Sequence, residues 1–94
     1  MITVSGTLYK VLEERAVGKK GWKVRDFVIQ FESSRGTQFR LLQAGGTLLR
    51  ELVSIPHGSK ISCEVTILGK ECMNTATGII KYRNLDEVTK IHYL

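Results

Sequence analysis

The chain has little cysteine, a single proline, few aromatics and no long apolar run, and most of these shortages remove a class of answer. Two cysteines, Cys63 and Cys72, are too few for the bridge framework of a small secreted scaffold. Nine positions apart on one extended stretch, they would stand roughly 30 Å from each other, beyond disulfide reach unless the strand folds back. Cys63 is expected as a small core residue. With His57 and His92 they give no pair at the spacing of a zinc knuckle or a helical histidine pair, so neither metal nor cofactor is expected. Apolar runs of only a few residues exclude a membrane-crossing helix, and Met1-Ile2-Thr3-Val4 lacks the charged-then-apolar order of a secretory signal, which points to the cytoplasm. There is no Walker glycine loop, no Gly-x-Ser-x-Gly elbow and no zinc-binding histidine helix. The carboxylates Glu13, Glu14, Glu32, Glu64, Glu71, Asp86 and Glu87 fall in loops or alternate outward on strands. Gly45-Gly46-Thr47 reads as the entry turn of a helix before it reads as an anion site. The chain therefore reads as a non-enzyme.

What is present is a basic, ordinarily apolar chain of one domain, residues 1–94: 43% hydrophobic, 24% charged, with a net charge of +5 and a pI of about 9.5. Fourteen Lys and Arg against nine Asp and Glu favour a polyanionic partner through counterion release.

The chain is organised around Gly21-Trp22-Lys23-Val24-Arg25-Asp26-Phe27-Val28-Ile29-Gln30-Phe31-Glu32. Phe27, Ile29 and Phe31 recur with the period of a strand that has one buried face. Trp22, Lys23 and Arg25, following Lys19 and Lys20, give the same strand a basic, aromatic approach. Trp22 shares a parity with Val24 and Val28, which places all three outside the core and makes Val24, Val28 and Leu42 candidates for a subunit contact. Arg25 and Asp26 read as a solvated or ladder pair.

A first strand runs from Ile2 to about Glu14, with Gly6 marking a bend or close backbone approach. Glu14 to Gly21 reads as a polar hairpin loop. The second strand ends at Glu32, and Ser33-Ser34-Arg35-Gly36 is a tight turn. A third strand spans Thr37 to Gln43, with Phe39 and Leu41 on one face and Gln38, Arg40 and Leu42 on the other. Thr47 reads as the N-cap of a short helix, Leu48 to Ser54, with one apolar face, ended by Ile55-Pro56-His57-Gly58. In the fourth strand Ile61, Cys63, Val65 and Ile67 alternate with polar residues. A second loop covers about Glu71 to Gly78. The last strand, Ile79 to Leu94, is expected to carry an interruption at Arg83-Asn84.

Five strands with one short helix between the third and fourth is the order of the OB-fold, a mainly β, five-stranded Greek-key barrel that commonly binds oligonucleotides on its strand-two and strand-three face and between its first and last long loops. The segments Gly6 to Glu14, Gly21-Trp22-Lys23-Val24-Arg25-Asp26-Phe27-Val28-Ile29, His57-Gly58-Ser59-Lys60-Ile61 and Gly78 to Leu85, with Tyr82-Arg83-Asn84-Leu85, resemble a group of short bacterial and phage OB proteins. That group is similar to the single-stranded DNA-binding protein family. The resemblance implies that Trp22 matches an aromatic of strand two and Tyr82 the aromatic after the last loop. It also sets a difference, since such proteins usually continue into a glycine-rich tail with acidic residues, and here the sequence stops at Lys90-Ile91-His92-Tyr93-Leu94.

Two functions follow. In one, the chain binds single-stranded DNA, or less readily RNA, without strong sequence preference: Lys19, Lys20, Lys23, Arg25, Arg40 and Arg83 neutralise phosphates while Trp22, with Tyr9 or Tyr82, stacks bases. In the other, the barrel is a protein-interaction or assembly module with its exposed strand and Trp22 covered by a partner or a second copy. Self-association to a dimer or tetramer fits either function.

Overall fold

The computed structural model describes residues 2–93. The elements are β1 (Ile2–Val17), β2 (Trp22–Ser33), β3 (Gly36–Gly45), α1 (Leu48–Ser54), β4 (Lys60–Met73) and β5 (Ile80–Tyr93). The strands follow one another as β1-β2-β3-β5-β4 and close into a barrel, the expected OB-fold arrangement, with β3 and β5 joined by a parallel contact and the other pairs antiparallel. The seam is short: β3 and β5 meet at a single pair, Gln43 opposite Glu87, so the barrel is partly open, as is usual for this fold.

β1 makes the closure possible because it serves two partners. Its first part, Ile2 to Thr7, ladders with β4, and from Thr7 onward it ladders with β2. The close backbone approach expected at Gly6 is there: a Cβ would collide with the Ile29 side chain and lie 2.5 Å from the Gln30 carbonyl oxygen. Irregularities between Leu8 and Lys10 and between Val11 and Glu14 let Leu8 and Val11, of opposite parity, both reach the interior. The strand continues past its expected end at Glu14, because Ala16 and Val17 still pair with Lys23 and Trp22. The expected loop shrinks to residues 18–21, with Gly18 and Gly21 at φ 71° and 68°.

The faces of β3 reverse the expectation. The two-residue turn fixes Ser33 opposite Gly36, so Phe27 faces Leu42, Ile29 faces Arg40 and Gln30 faces Phe39. Residues directly opposite share a face. Leu42 and Ala44 therefore join Phe27 and Ile29 in the core, while Phe39 and Leu41, each 55% exposed, stand outside. Leu42 is accordingly not available to a subunit contact. Val24 is also buried, although it lies on the outer face and outside the core cluster, and Val28 is half-buried.

β4 gives Ile61, Cys63 and Val65 to the core as its alternation predicts, but Ile67 is 60% exposed because β4 and β5 run on beyond the barrel as a two-stranded ribbon. The ribbon extends to Met73 opposite Ile80, so the expected loop is reduced to the turn between them. The irregularity of β5 lies elsewhere than Arg83-Asn84. Glu64 pairs with Lys90 and Val65 with Val88, which leaves Thr89 as the extra residue, its hydroxyl donating to the Glu64 carbonyl at 3.2 Å. That bulge brings Val88 and Ile91, three apart, to the same interior.

α1 sits between β3 and β4, and its Leu52 is fully buried in the core, with Leu48 packed against it. Thr47 stands at the expected N-cap but makes no side-chain capping bond. The helix ends at Ile55, whose extended φ −81°, ψ 122° is what a following proline requires. Cys63 and Cys72 are both free thiols, the first buried and the second half-buried.

Candidate nucleic-acid interface

The reversal on β3 builds a surface that the sequence reading missed. On the outer face of the barrel, Phe39 lies opposite Gln30, and Tyr9 emerges at the first β1 irregularity. Their ring centroids are 5.0 Å apart at an interplanar angle of 62°, an edge-on pair. Tyr9 is 53% exposed and Phe39 55%, so each keeps ring surface open to solvent beside exposed Leu41 and half-buried Val28. Together they form an exposed aromatic platform of two mutually inclined rings. Tyr9 was among the expected site residues; Phe39 was not.

Along the same face the platform passes into polar ground. Asp26 lies opposite Gln43, whose amide reaches it at 3.5 Å, and accepts from Arg15 at 3.0 Å and 3.2 Å. The expected Arg25–Asp26 pairing is thus replaced by Arg15–Asp26, because Arg25 points to the other face. Beyond Gln43 opens a cleft of about 640 Å³ between the β1–β2 turn and the β4–β5 ribbon. Its walls carry Arg15, Lys70 and Arg83 with Val17, Leu68 and Leu85. Leu68 faces Leu85 and Lys70 faces Arg83 across the ribbon, so both cations stand on the cleft side. Neither forms an ion pair among the described residues. Lys70 escaped the sequence reading because β4 had been expected to end just beyond it.

The remaining expected residues divide. Lys19 and Lys20 are exposed in the turn beside the cleft. Tyr82, 74% exposed, lies on the opposite side of the ribbon from Arg83, facing Glu71. Arg40 is drawn to Asp86 at 2.6 Å, with Asp86 mostly covered, and this pair ties β3 to β5 where the barrel closes. Arg25 donates to the Leu12 carbonyl at 3.2 Å, and Lys23 lies 3.9 Å from Glu14. Trp22 is 60% exposed but rests on Gly45 and Gly46: a Cβ on either glycine would come within 2.7 Å or 3.2 Å of the indole. It stands six residues along β2 from Val28, roughly 20 Å from the Tyr9–Phe39 pair's end of the strand. The structure therefore brings Tyr9 and Arg83 to one outer surface with Lys19 and Lys20 in the turn at its edge, and sets Lys23, Arg25, Arg40 and Tyr82 apart from it; Trp22, opposite the cleft residue Val17, turns toward Gly46 and Leu49 of the α1 side.

Among the described residues Cys63 shows a marked protonation effect: burial first, and then the Glu51 carboxylate, push its thiol up to about 12. It lies in the core and takes no part in this surface. Among the described residues no helix is long and apolar enough to cross a membrane.

No family model matches the sequence, and no curated protein matches it closely enough to count as a relative. Solved structures do match the fold. The mitochondrial single-stranded DNA-binding protein of S. cerevisiae superposes with a TM-score of 0.70 at 9% identity, covering 99% of this chain and 92% of that one. The small single-stranded DNA-binding protein of Streptomyces coelicolor superposes with a TM-score of 0.56 at 12% identity over 98% and 91%. At such identities the likeness establishes architecture. The chain is an OB-fold barrel whose whole length follows the fold of single-stranded DNA-binding proteins.

Proposed function

We propose that this protein binds single-stranded nucleic acid, DNA ahead of RNA, with little sequence preference. The observation that carries the reading is the Tyr9–Phe39 pair on the outer face of β1 to β3, continuous with the Arg15, Lys70 and Arg83 cleft. Bases stack on the open ring surfaces, which every base can do, while the cations hold the backbone. Lys19 and Lys20 extend the positive lining at the first turn. The fold's likeness to two single-stranded DNA-binding proteins supports DNA as the polymer. No residue is assigned a catalytic role. The test is titration of a fluorescently labelled dT oligomer at several salt concentrations: log affinity should fall with log salt at about −0.7 per contacted phosphate, and a salt-independent affinity would reject the reading.

A second reading, an assembly module, has its own observation. Ile67, Met73, Ile80 and Tyr82 share one side of the β4–β5 ribbon, and all are at least 48% exposed. A two-stranded ribbon with an open apolar side gains from cover by a second copy. Homo-oligomerisation to a dimer or tetramer is the form proposed for it, and a sedimentation mass equal to the 10.6 kDa monomer at micromolar concentration would reject it.

A further inference from the structure

A groove separate from the Tyr9–Phe39 surface lies between α1 and the β1–β2 hairpin. It consists of two shallow concavities that meet at Leu49, one of about 400 Å³ reaching Trp22 and Lys20, the other of about 380 Å³ reaching Val53, Arg25 and Arg50. Its floor is apolar and open: Leu49 and Val53 are one helical turn apart, Val53 is 61% exposed, and the outer side of Trp22 is uncovered above Gly46. α1 thus has apolar side chains on two sides, Leu52 toward the core and the Leu49–Val53 stripe toward solvent. Around the stripe stand four cations, Lys20, Lys23, Arg25 and Arg50, against one lining carboxylate, Glu14, which already lies 3.9 Å from Lys23.

An apolar stripe bordered by cations selects a ligand with the reverse pattern. We propose that this groove docks an acidic peptide segment carrying large apolar side chains, its carboxylates meeting Arg25, Arg50, Lys20 and Lys23 and its apolar groups covering Leu49, Val53 and Trp22. A nucleic acid strand would meet the same cations but gain little from the stripe. Leu49 and Val53 are aliphatic, and one side of the Trp22 indole is already taken by Gly45 and Gly46. The peptide makes use of every feature of the groove, while a base stack makes use of one side of one ring. The groove shares Lys20, in the β1–β2 turn, with the nucleic-acid surface and no other residue, and the proposal does not depend on that reading.

The test uses the full chain and a fluorescein-labelled decapeptide of five aspartates, three leucines and two phenylalanines, with two controls: the same peptide with aspartates replaced by asparagine, and with leucines and phenylalanines replaced by serine. Anisotropy titration at low salt should show saturable binding of the first peptide and at least about tenfold weaker binding of both controls. Val53→Asp changes an exposed position, and Arg50→Glu reverses a rim charge without touching the core. Each should weaken the peptide about tenfold or more, with unchanged circular dichroism, and leave binding of a dT oligomer as it is in the parent. Equal affinity for acidic and asparagine peptides overturns the proposal. So does a dT oligomer that displaces the peptide competitively and loses affinity in Val53→Asp and Arg50→Glu to the same degree, an outcome that would give the groove to nucleic acid.

Discussion

Replacing Phe39 by alanine separates a binding role from a structural one, because the two roles carry different magnitudes at this position. Phe39 is 55% exposed and touches Tyr9 edge-on. Full burial of such a side chain is worth ~1.5–3 kcal/mol, so less than half of that is at stake here. The edge contact adds ~0.5–1.5 kcal/mol. A loss of about 1–3 kcal/mol of folding stability is therefore expected, less than the ~3–5 kcal/mol for Phe27→Ala in the same sheet, where no surface is exposed. Binding is different in kind. Each lost base stack costs ~1–3 kcal/mol, a fall in affinity for a dT oligomer of about 5- to 150-fold. The assay pairs urea denaturation with anisotropy titration of one labelled dT oligomer on both variants and the parent. Phe39→Ala should bind poorly while remaining folded through the titration. If it binds as the parent does, the stacking platform is wrong, whatever the denaturation curve shows.

Lys70→Ala and Arg83→Ala should each lower dT affinity and flatten the salt dependence by about 0.7 in slope, and the double variant by about twice that; unchanged slopes would remove the cleft from the path of the backbone. Trp22→Ala should leave dT affinity within about twofold of the parent, because the indole rests on Gly45 and Gly46 away from Tyr9 and Phe39; a loss matching one base stack, ~1–3 kcal/mol, would restore Trp22 to the binding path. Cys63 gives a pH prediction whose sign follows from its thiol being pushed up to about 12 from the ordinary 9.0, chiefly by burial and then by Glu51. A raised value in the folded state means that its contribution is whole below pH 9 and is lost as pH rises from 9 toward 12. Denaturation midpoints taken at pH 8 and pH 10.5 should therefore converge for parent and Cys63→Ala at the higher pH, and a gap that stays constant would contradict the assignment.

How far the sequence discloses this molecule depends on where the physics is local. The order of strands, the single short helix and its stop at Ile55-Pro56 follow from period and from proline sterics, and they are legible residue by residue. Strand faces are legible only where one parity is clearly apolar, as with Ile61, Cys63 and Val65. In β3 both parities are apolar, Phe39 and Leu41 against Leu42 and Ala44, and size misleads, since the larger pair lies outside. The register was nonetheless implicit in the chain: a two-residue turn at Ser34-Arg35 sets Phe27 against Leu42 and Gln30 against Phe39. Bulges are the harder case. Thr89 and the irregular stretches of β1 bring residues of opposite parity to one interior, and nothing in a single sequence distinguishes them from an interruption elsewhere. The cations show a further limit. Arg40 reads as an unpaired cation until Asp86, forty-six residues away in the chain, is seen beside it, and Lys70 reads as the end of a strand until the ribbon is seen to continue.

The most direct measurement of the central claim is residue-resolved: backbone amide NMR shifts of the full chain on titration with unlabelled dT oligomer. Binding on the outer surface predicts shifts gathered at Tyr9, Val28, Phe39, Leu41, Lys70 and Arg83, with little change at Leu49, Arg50 and Val53. No shifts at saturating oligomer, or shifts gathered along α1 and the β4–β5 side that carries Ile67, Met73 and Tyr82, would contradict it.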